Sequence, residues 1–187
     1  MSGAHASDAG ATRGAPGSPG PPSPTGAAQG GPGVRLASRS PADTEALGAA
    51  LGRLLAPGDL VMLIGPLGAG KTCFVTGLAR GAGVRGRVRS PSFTLMHEYQ
   101  GRQVLVLHVD LYRLDPMDVD ALGFDEALER GAVVVEWGEK LPAALRDEAL
   151  SVRFEVSGAD TRTLLAAAAG ERAARSLALW REALATG

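Results

Sequence analysis

Eight consecutive residues, Gly65-Pro66-Leu67-Gly68-Ala69-Gly70-Lys71-Thr72, match G-x-x-x-x-G-K-[ST] at every fixed position. A polyphosphate is held by several convergent backbone N–H groups, and glycines let the main chain curl closely enough to aim them. In such a loop the lysine, here Lys71, neutralises β/γ oxygens. The hydroxyl of Thr72 binds Mg²⁺, and the N-terminus of the following helix favours the anion. A plain strand-to-helix turn needs none of these residue types at these spacings. The segment therefore reads as a nucleoside triphosphate site with Gly65, Gly68, Ala69, Gly70, Lys71 and Thr72 as its binding residues. Cys73 is counted with them by position, although its small side chain suits packing on the helix.

Three further segments place polar groups where strands begin or end: Ser90-Pro91-Ser92-Phe93-Thr94, His108-Val109-Asp110-Leu111-Tyr112-Arg113 and Val133-Val134-Val135-Glu136-Trp137. Ligand sites in open α/β sheets lie at the carboxyl ends of the strands, so Asp110 and Glu136 are expected to face the glycine-rich loop. A carboxylate after an apolar strand holds Mg²⁺ directly or through water, and a second one can orient an attacking water. Lys71, Asp110 and Glu136 are thus the candidate catalytic groups, and Thr72, Asp110 and Glu136 the candidate metal ligands. Trp137 either stacks near the nucleotide or belongs to the core. His108 either lines the site or is a satisfied histidine at a strand end. Tyr112 and Arg113 combine an aromatic and an arginine in the manner of interfaces.

The elements that must position these groups are legible in the hydropathy pattern. Leu60 to Ile64 is a short continuous apolar run, typical of an inner parallel strand. A helix is predicted from Thr72 to about Ala82, with Phe74, Leu78 and Ala82 on one face. Upstream, Ser40-Pro41-Ala42-Asp43 carries an N-cap serine, proline at the first helical position and an acid in the first turn. Leu47, Leu51, Leu54 and Leu55 then form a buried stripe that Pro57-Gly58 ends.

Further strands are predicted at 34–37, 95–99, 104–109, 132–135, 150–156 and 162–168, and helical pieces at 116–130 and 143–148. An amphipathic helix over 171–184 packs on the sheet. The alternation argues for an α/β fold, a three-layer P-loop NTPase-like domain with a largely parallel sheet.

Composition bounds the rest. Residues 1–33 are predicted disordered, since 26 of them are Ala, Gly, Pro or Ser and only Asp8 and Arg13 are charged. The P-loop domain is placed at 34–170 and the C-terminal helix at 171–187. One cysteine in 187 residues allows no internal disulfide, no long apolar run reads as a membrane span, and a cytoplasmic location is expected. A net charge of −1 makes no overall electrostatic case for nucleic acid. The chain has no Asn, so the Asn-Lys-x-Asp guanine reader of Ras-like GTPases is absent. A self-sufficient small-molecule kinase is the alternative reading. Its lid would use Arg85, Arg87 and Arg89, which otherwise are solvated charge beside a loop. Of the 19 basic residues 17 are Arg, which makes Lys71 and Lys140 conspicuous.

From about Ser40 to Arg162 the sequence resembles the TsaE (YjeE) family of bacterial ATPases of tRNA threonylcarbamoyladenosine synthesis. The resemblance rests on Gly-x-Leu-Gly-Ala-Gly-Lys-Thr at 65–72, Ser-Pro-Ser-Phe-Thr at 90–94, His-x-Asp-Leu-Tyr-Arg at 108–113 and Glu-Trp at 136–137. Four motifs in order are far more specific than the loop alone. The resemblance implies that Lys71 and Thr72 serve phosphate and Mg²⁺, and that Glu136 and Asp110 serve the metal or the water. Ser90 and Thr94 then belong to a switch-like loop. It further implies weaker roles near the base or ribose for the helix start containing Thr44 and for Arg162, with Trp137 beside the nucleotide. ATP and Mg²⁺ are the implied ligands and the TsaB and TsaD proteins the implied partners, with tRNA reached only through that complex. The sequence departs from the usual family pattern at Cys73, where Thr is common, and at Gly138, where Pro is common.

Overall fold

The computed structural model describes residues 33–91 and 94–186. The tail expected over 1–33 therefore falls, apart from Gly33, outside the described residues, as do Ser92 and Phe93 of the 90–94 motif. Seven strands form one sheet: β1 (Val34–Ser38), β2 (Leu60–Ile64), β3 (Met96–Gln100), β4 (Leu105–Asp110), β5 (Ala132–Glu136), β6 (Leu150–Val156) and β7 (Arg162–Ala168). Their order is β1-β7-β6-β2-β5-β4-β3. The four central strands, β6, β2, β5 and β4, are mutually parallel. The flanking pairs β1/β7, β7/β6 and β3/β4 are antiparallel.

The helices are α1 (Pro41–Gly52), α2 (Lys71–Gly81), α3 (Pro116–Val119), α4 (Phe124–Arg130), α5 (Ala143–Arg146) and α6 (Gly170–Ala185). Pleating sends alternate residues of β2 and β5 to opposite faces. Val61, Leu63, Ala132 and Val134 meet Leu51, Phe74, Leu78 and Trp180 of α1, α2 and α6. Leu60, Met62, Val133 and Val135 meet Phe124 and Ala127 of α4 on the other side. This is a three-layer α/β architecture of the P-loop NTPase-like kind, parallel at the centre of the sheet and antiparallel at both flanks. Phe74 anchors one face, edge-on to Phe154 at 5.7 Å and to Trp180 at 5.9 Å. Such pairs contribute about 0.5–1.5 kcal/mol each beyond area burial. The indole N–H of Trp180 donates to the carbonyl of Leu47 at 3.2 Å, joining α6 to α1.

The start of α1 has the expected cap. Ser40 Oγ accepts from the Asp43 N–H at 3.1 Å, and the Asp43 carboxylate accepts from the Arg39 N–H at 2.9 Å. The Arg39 N–H, and after it the Ser40 hydroxyl, hold the Asp43 carboxyl below its ordinary value.

Two elements differ from expectation. The leucine stripe packs into the core as expected but predicted a helix reaching Leu55, whereas α1 stops at Gly52, and the face it turns to α2 is made by Gly48 and Gly52. A Cβ on Gly48 would collide with the Phe74 carbonyl, one on Gly52 with that of Leu78, one on Gly77 with that of Glu45 and one on Gly81 with that of Ala49. Four glycines, paired at i and i+4 on each helix, thus let the two backbones touch. The helix expected over 116–130 is broken. A 3₁₀ turn at Asp120–Leu122 leads to Gly123, whose φ of 66° only glycine adopts at little cost, and α4 restarts beyond it.

Gly77→Ala is expected to lower stability by about 1–3 kcal/mol, as overpacking does, although the same change in an exposed helix raises it by about 1 kcal/mol. Urea unfolding checks the sign, and a higher midpoint for the variant would contradict close backbone contact.

Candidate functional site

The site is built where β2 runs into α2. Gly65, Gly68 and Gly70 have φ of 152°, 76° and 103°, and each conformation is one that side chains resist. At Gly65 a Cβ would also meet the Phe154 backbone oxygen at 2.9 Å, so the turn leaving β2 has no room for a side chain. The glycines wrap the loop around Lys71, whose residue is only 4% exposed. Its ammonium donates to the carbonyls of Gly65 at 2.7 Å and Pro66 at 2.9 Å and stands 4.2 Å above the Trp137 ring. Burial pulls the Lys71 pKa below its ordinary value, while the Glu136, Glu139 and Asp110 carboxylates act in the other direction.

Register brings the carboxylates to the loop. Leu63 pairs with Glu136, and Glu136 pairs with Asp110, so the acids end the two parallel strands next in order from β2, β5 beside it and β4 beyond β5. Thr72 Oγ1 donates to Glu136 Oε1 at 2.8 Å, bridging the first turn of α2 and the end of β5. Asp110 accepts from Ser90 Oγ at 2.9 Å and from the Tyr112 N–H at 3.0 Å. A cleft of about 240 Å³ opens here, with Gly68, Ala69, Gly70, Lys71 and Thr72 on one side and Ser90, Asp110, Tyr112, Glu136 and Trp137 on the other. Trp137 adopts a left-handed φ of 60°, which turns the chain after β5 and presents its ring to Lys71 and to Tyr112, 4.9 Å away.

Other residues singled out in the sequence stand behind this cleft. Thr44 is buried, its hydroxyl 2.7 Å from Ser38 Oγ. The Cys73 thiol donates to the carbonyl of Pro41 at 3.3 Å. Burial and the Glu45 carboxylate push the thiol above its ordinary pKa, against the opposing pull of Arg162 and Arg80. Arg162 Nε donates to the Ala69 carbonyl at 3.0 Å, and its Nη1 donates to the Gly158, Ala159 and Thr161 carbonyls at 2.9–3.1 Å. It therefore ties β7 to the back of the loop. Thr94 is exposed, its hydroxyl 3.5 Å from the Pro91 carbonyl, away from the cleft walls.

Two contacts escaped the sequence reading. His108 does not line the cleft. It is wholly buried behind Glu136, with Nε2 3.0 Å from Oε1. The spacing of His108 and Asp110 on one strand was the available signal, since residues two apart share a face. Lys140 donates to the carbonyls of Leu111, Tyr112 and Leu114 at 2.8–2.9 Å and braces the turn that carries Tyr112. Nothing local marks that role.

The donors around the cleft suit an anion beside a hard cation. Lys71 and the Thr72 hydroxyl stand on the loop side, and the Asp110 and Glu136 carboxylates face them. Among the described residues no cluster of three His, Cys, Asp or Glu is arranged to hold a metal unaided. The Thr72 hydroxyl and the two carboxylates are donors of the kind Mg²⁺ takes together with water and substrate phosphates.

The family model for the Threonylcarbamoyl adenosine biosynthesis protein TsaE matches residues 38–164. The chain belongs to the TsaE family. It is 40% identical over 136 residues to the tRNA threonylcarbamoyladenosine biosynthesis protein TsaE of Treponema pallidum, covering 72% of this chain and all of that protein. The Bacillus subtilis protein of the same name is 36% identical over 134 residues, 71% of this chain and 84% of its own. The crystal structure of Bacillus subtilis YdiB superposes with a TM-score of 0.66 at 31% identity, covering 83% of this chain and 96% of that one. The TsaE match spans the loop, both carboxylates, His108 and Arg162, and ends before α6.

With its pKa raised, the Cys73 thiol is expected to react with iodoacetamide at pH 8 roughly fivefold or more slowly than the same thiol in the urea-unfolded chain. Mass-spectrometric alkylation rates measure this, and equal rates would rule out the half-buried, hydrogen-bonded thiol.

Proposed function

We propose that the chain is a cytoplasmic ATPase that binds and hydrolyses ATP with Mg²⁺ in support of the TsaB and TsaD proteins in tRNA threonylcarbamoyladenosine modification, without performing the transfer itself. Membership of the TsaE family supports the pathway. The observation that carries the nucleotide reading is the glycine loop closed around a buried lysine, with Thr72 bonded to a carboxylate across the cleft. Among the described residues no helix is long and apolar enough to cross a membrane.

In this reading the loop N–H groups and Lys71 hold the β- and γ-phosphates. Lys71 has only two carbonyls and an aromatic face to exchange for them, and a partly desolvated ammonium gains most from an anion. The lone pairs of Thr72 Oγ1 would suit the metal while its O–H goes on donating to Glu136. Magnesium, when bound, neutralises charge on the phosphate oxygens. Glu136 and Asp110 hold water or metal at the γ-phosphate end. Ser90 steadies Asp110 and connects it to the 90–94 segment that includes Thr94, whose switch-like role belongs to the same reading. Trp137 covers Lys71 and offers a ring face to the nucleotide. Thr44, Cys73 and Arg162 serve it from behind, by holding the start of α1 and the loop in place.

Lys71→Ala is expected to weaken ATP binding at least about tenfold in titration calorimetry while the chain still folds, because the charge is lost and the glycine turns of the loop stay. Binding at wild-type affinity would sink the phosphate-loop assignment. Glu136→Gln should still bind ATP yet turn over about 10²-fold more slowly in single-turnover hydrolysis with TsaB and TsaD present. A direct metal role for Asp110 makes the Asp110→Asn defect shrink as Mg²⁺ rises, whereas the Glu136→Gln defect persists. Near-normal turnover of Glu136→Gln would make the carboxylate assignment wrong. A phosphorylated metabolite in place of inorganic phosphate would favour the kinase.

A further inference from the structure

His108 is wholly buried, and its Nδ1 is, among the described residues, the one buried side-chain nitrogen or oxygen without a hydrogen-bond partner. Its Nε2 lies 3.0 Å from Glu136 Oε1. A carboxylate only accepts, so the hydrogen of that bond sits on Nε2.

The placement is set by the sheet. Val61, Val134 and His108 are successive partners across β2, β5 and β4, one step below the row Leu63, Glu136 and Asp110. Alternation along the strands puts His108 on the same face as both acids. Glu136 Oε1 therefore receives two hydrogens, from Thr72 Oγ1 at 2.8 Å and from His108 Nε2 at 3.0 Å. Its Oε2 accepts no hydrogen bond from the described residues and is left for the cleft that Glu136 lines.

We propose that His108 is a positioning residue that pins Glu136 Oε1 through an Nε2–H hydrogen bond, so that Oε2 faces the metal or water in one fixed orientation. The inference rests on the nucleotide reading above and assigns a function to a side chain that never touches nucleotide. Thr72 alone is an incomplete anchor, because a hydroxyl rotor gives one bond and a metal competes for its oxygen. An imidazole locked in the core cannot follow the carboxylate if it turns. Outer-shell donors of this kind typically change metal affinity or activity by about 10–100-fold when removed.

The test compares His108→Met, which fills the space without a donor, with His108→Gln, whose side-chain amide restores a donor near Nε2. ADP binding is followed by calorimetry across a Mg²⁺ titration, and single-turnover ATP hydrolysis is measured alongside. His108→Met should need about 10–100-fold more Mg²⁺ for half-maximal enhancement of ADP binding, with little change in ADP affinity without Mg²⁺, and His108→Gln should return to within a few-fold of wild type. A wild-type Mg²⁺ requirement in His108→Met would overturn the proposal, as would equal defects in the two variants. If neither variant folds, long-range ¹H–¹⁵N spectra of the wild-type chain decide: the Nε2–H tautomer supports the proposal and the Nδ1–H tautomer overturns it. Absence of Mg²⁺-dependent nucleotide binding in the wild-type chain would instead count against the nucleotide reading, which separates the two failures.

Discussion

Parallel pairing has a geometric consequence on which the site depends: neighbouring strands end on the same edge of the sheet. β2, β5 and β4 lie side by side in register, so the turn leaving β2, Glu136 ending β5 and Asp110 ending β4 converge although 26 residues separate the two acids along the chain. One step earlier the same register stacks Val61, Val134 and His108, so core packing and the orientation of the acid share one layer of side chains. A one-residue slip of β5 would send Glu136 to the opposite face, beside Val133 and Val135. Burial of those valines on one side and Val134 on the other opposes such a slip.

Cations secure the backbone around the site. Lys71 and Lys140, the only lysines among 19 basic residues, both donate to main-chain carbonyls. Lys140 has three such acceptors converging on one nitrogen, which suits an ammonium with three rotatable donors better than the flat fork of an arginine. Arg162 does the converse, spreading its planar fork across Ala69 in the loop and the 158–161 turn. The loop and the turn bearing Tyr112 are thus held from behind, leaving the cleft side to a ligand.

The start of α2 is aimed by its packing as much as by its own glycines. Gly48 and Gly52 of α1 against Gly77 and Gly81 of α2 remove the side-chain layer that normally separates helices by 8–10 Å. Thr44 and the cap at Ser40 are consequently drawn against the back of the loop, and Cys73 reaches the Pro41 carbonyl. A helix pair that close has little freedom to tilt, which suits a first turn that must keep Thr72 on Glu136.

The sequence by itself determined the local parts of this protein. The glycine loop at 65–72, the apolar run of β2, the capped start of α1 and the polar residues ending β4 and β5 are each specified within a few residues, because turn chemistry and strand periodicity act at short range. The tertiary structure decided what those parts do to one another. The leucine stripe of α1 does pack into the core, but the sequence carried no sign that Gly48 and Gly52 beside it meet α2, nor of the break at Gly123 within 116–130, because hydropathy does not register a backbone approaching from a distant segment. His108 illustrates the same limit. Its type and its position beside Asp110 were visible, but Glu136 lies 28 residues away and on another strand. Only the pairing of β4 with β5 turns a buried histidine into the partner of a carboxylate, since a hydrogen bond is set by distance in space, which pattern along the chain does not encode.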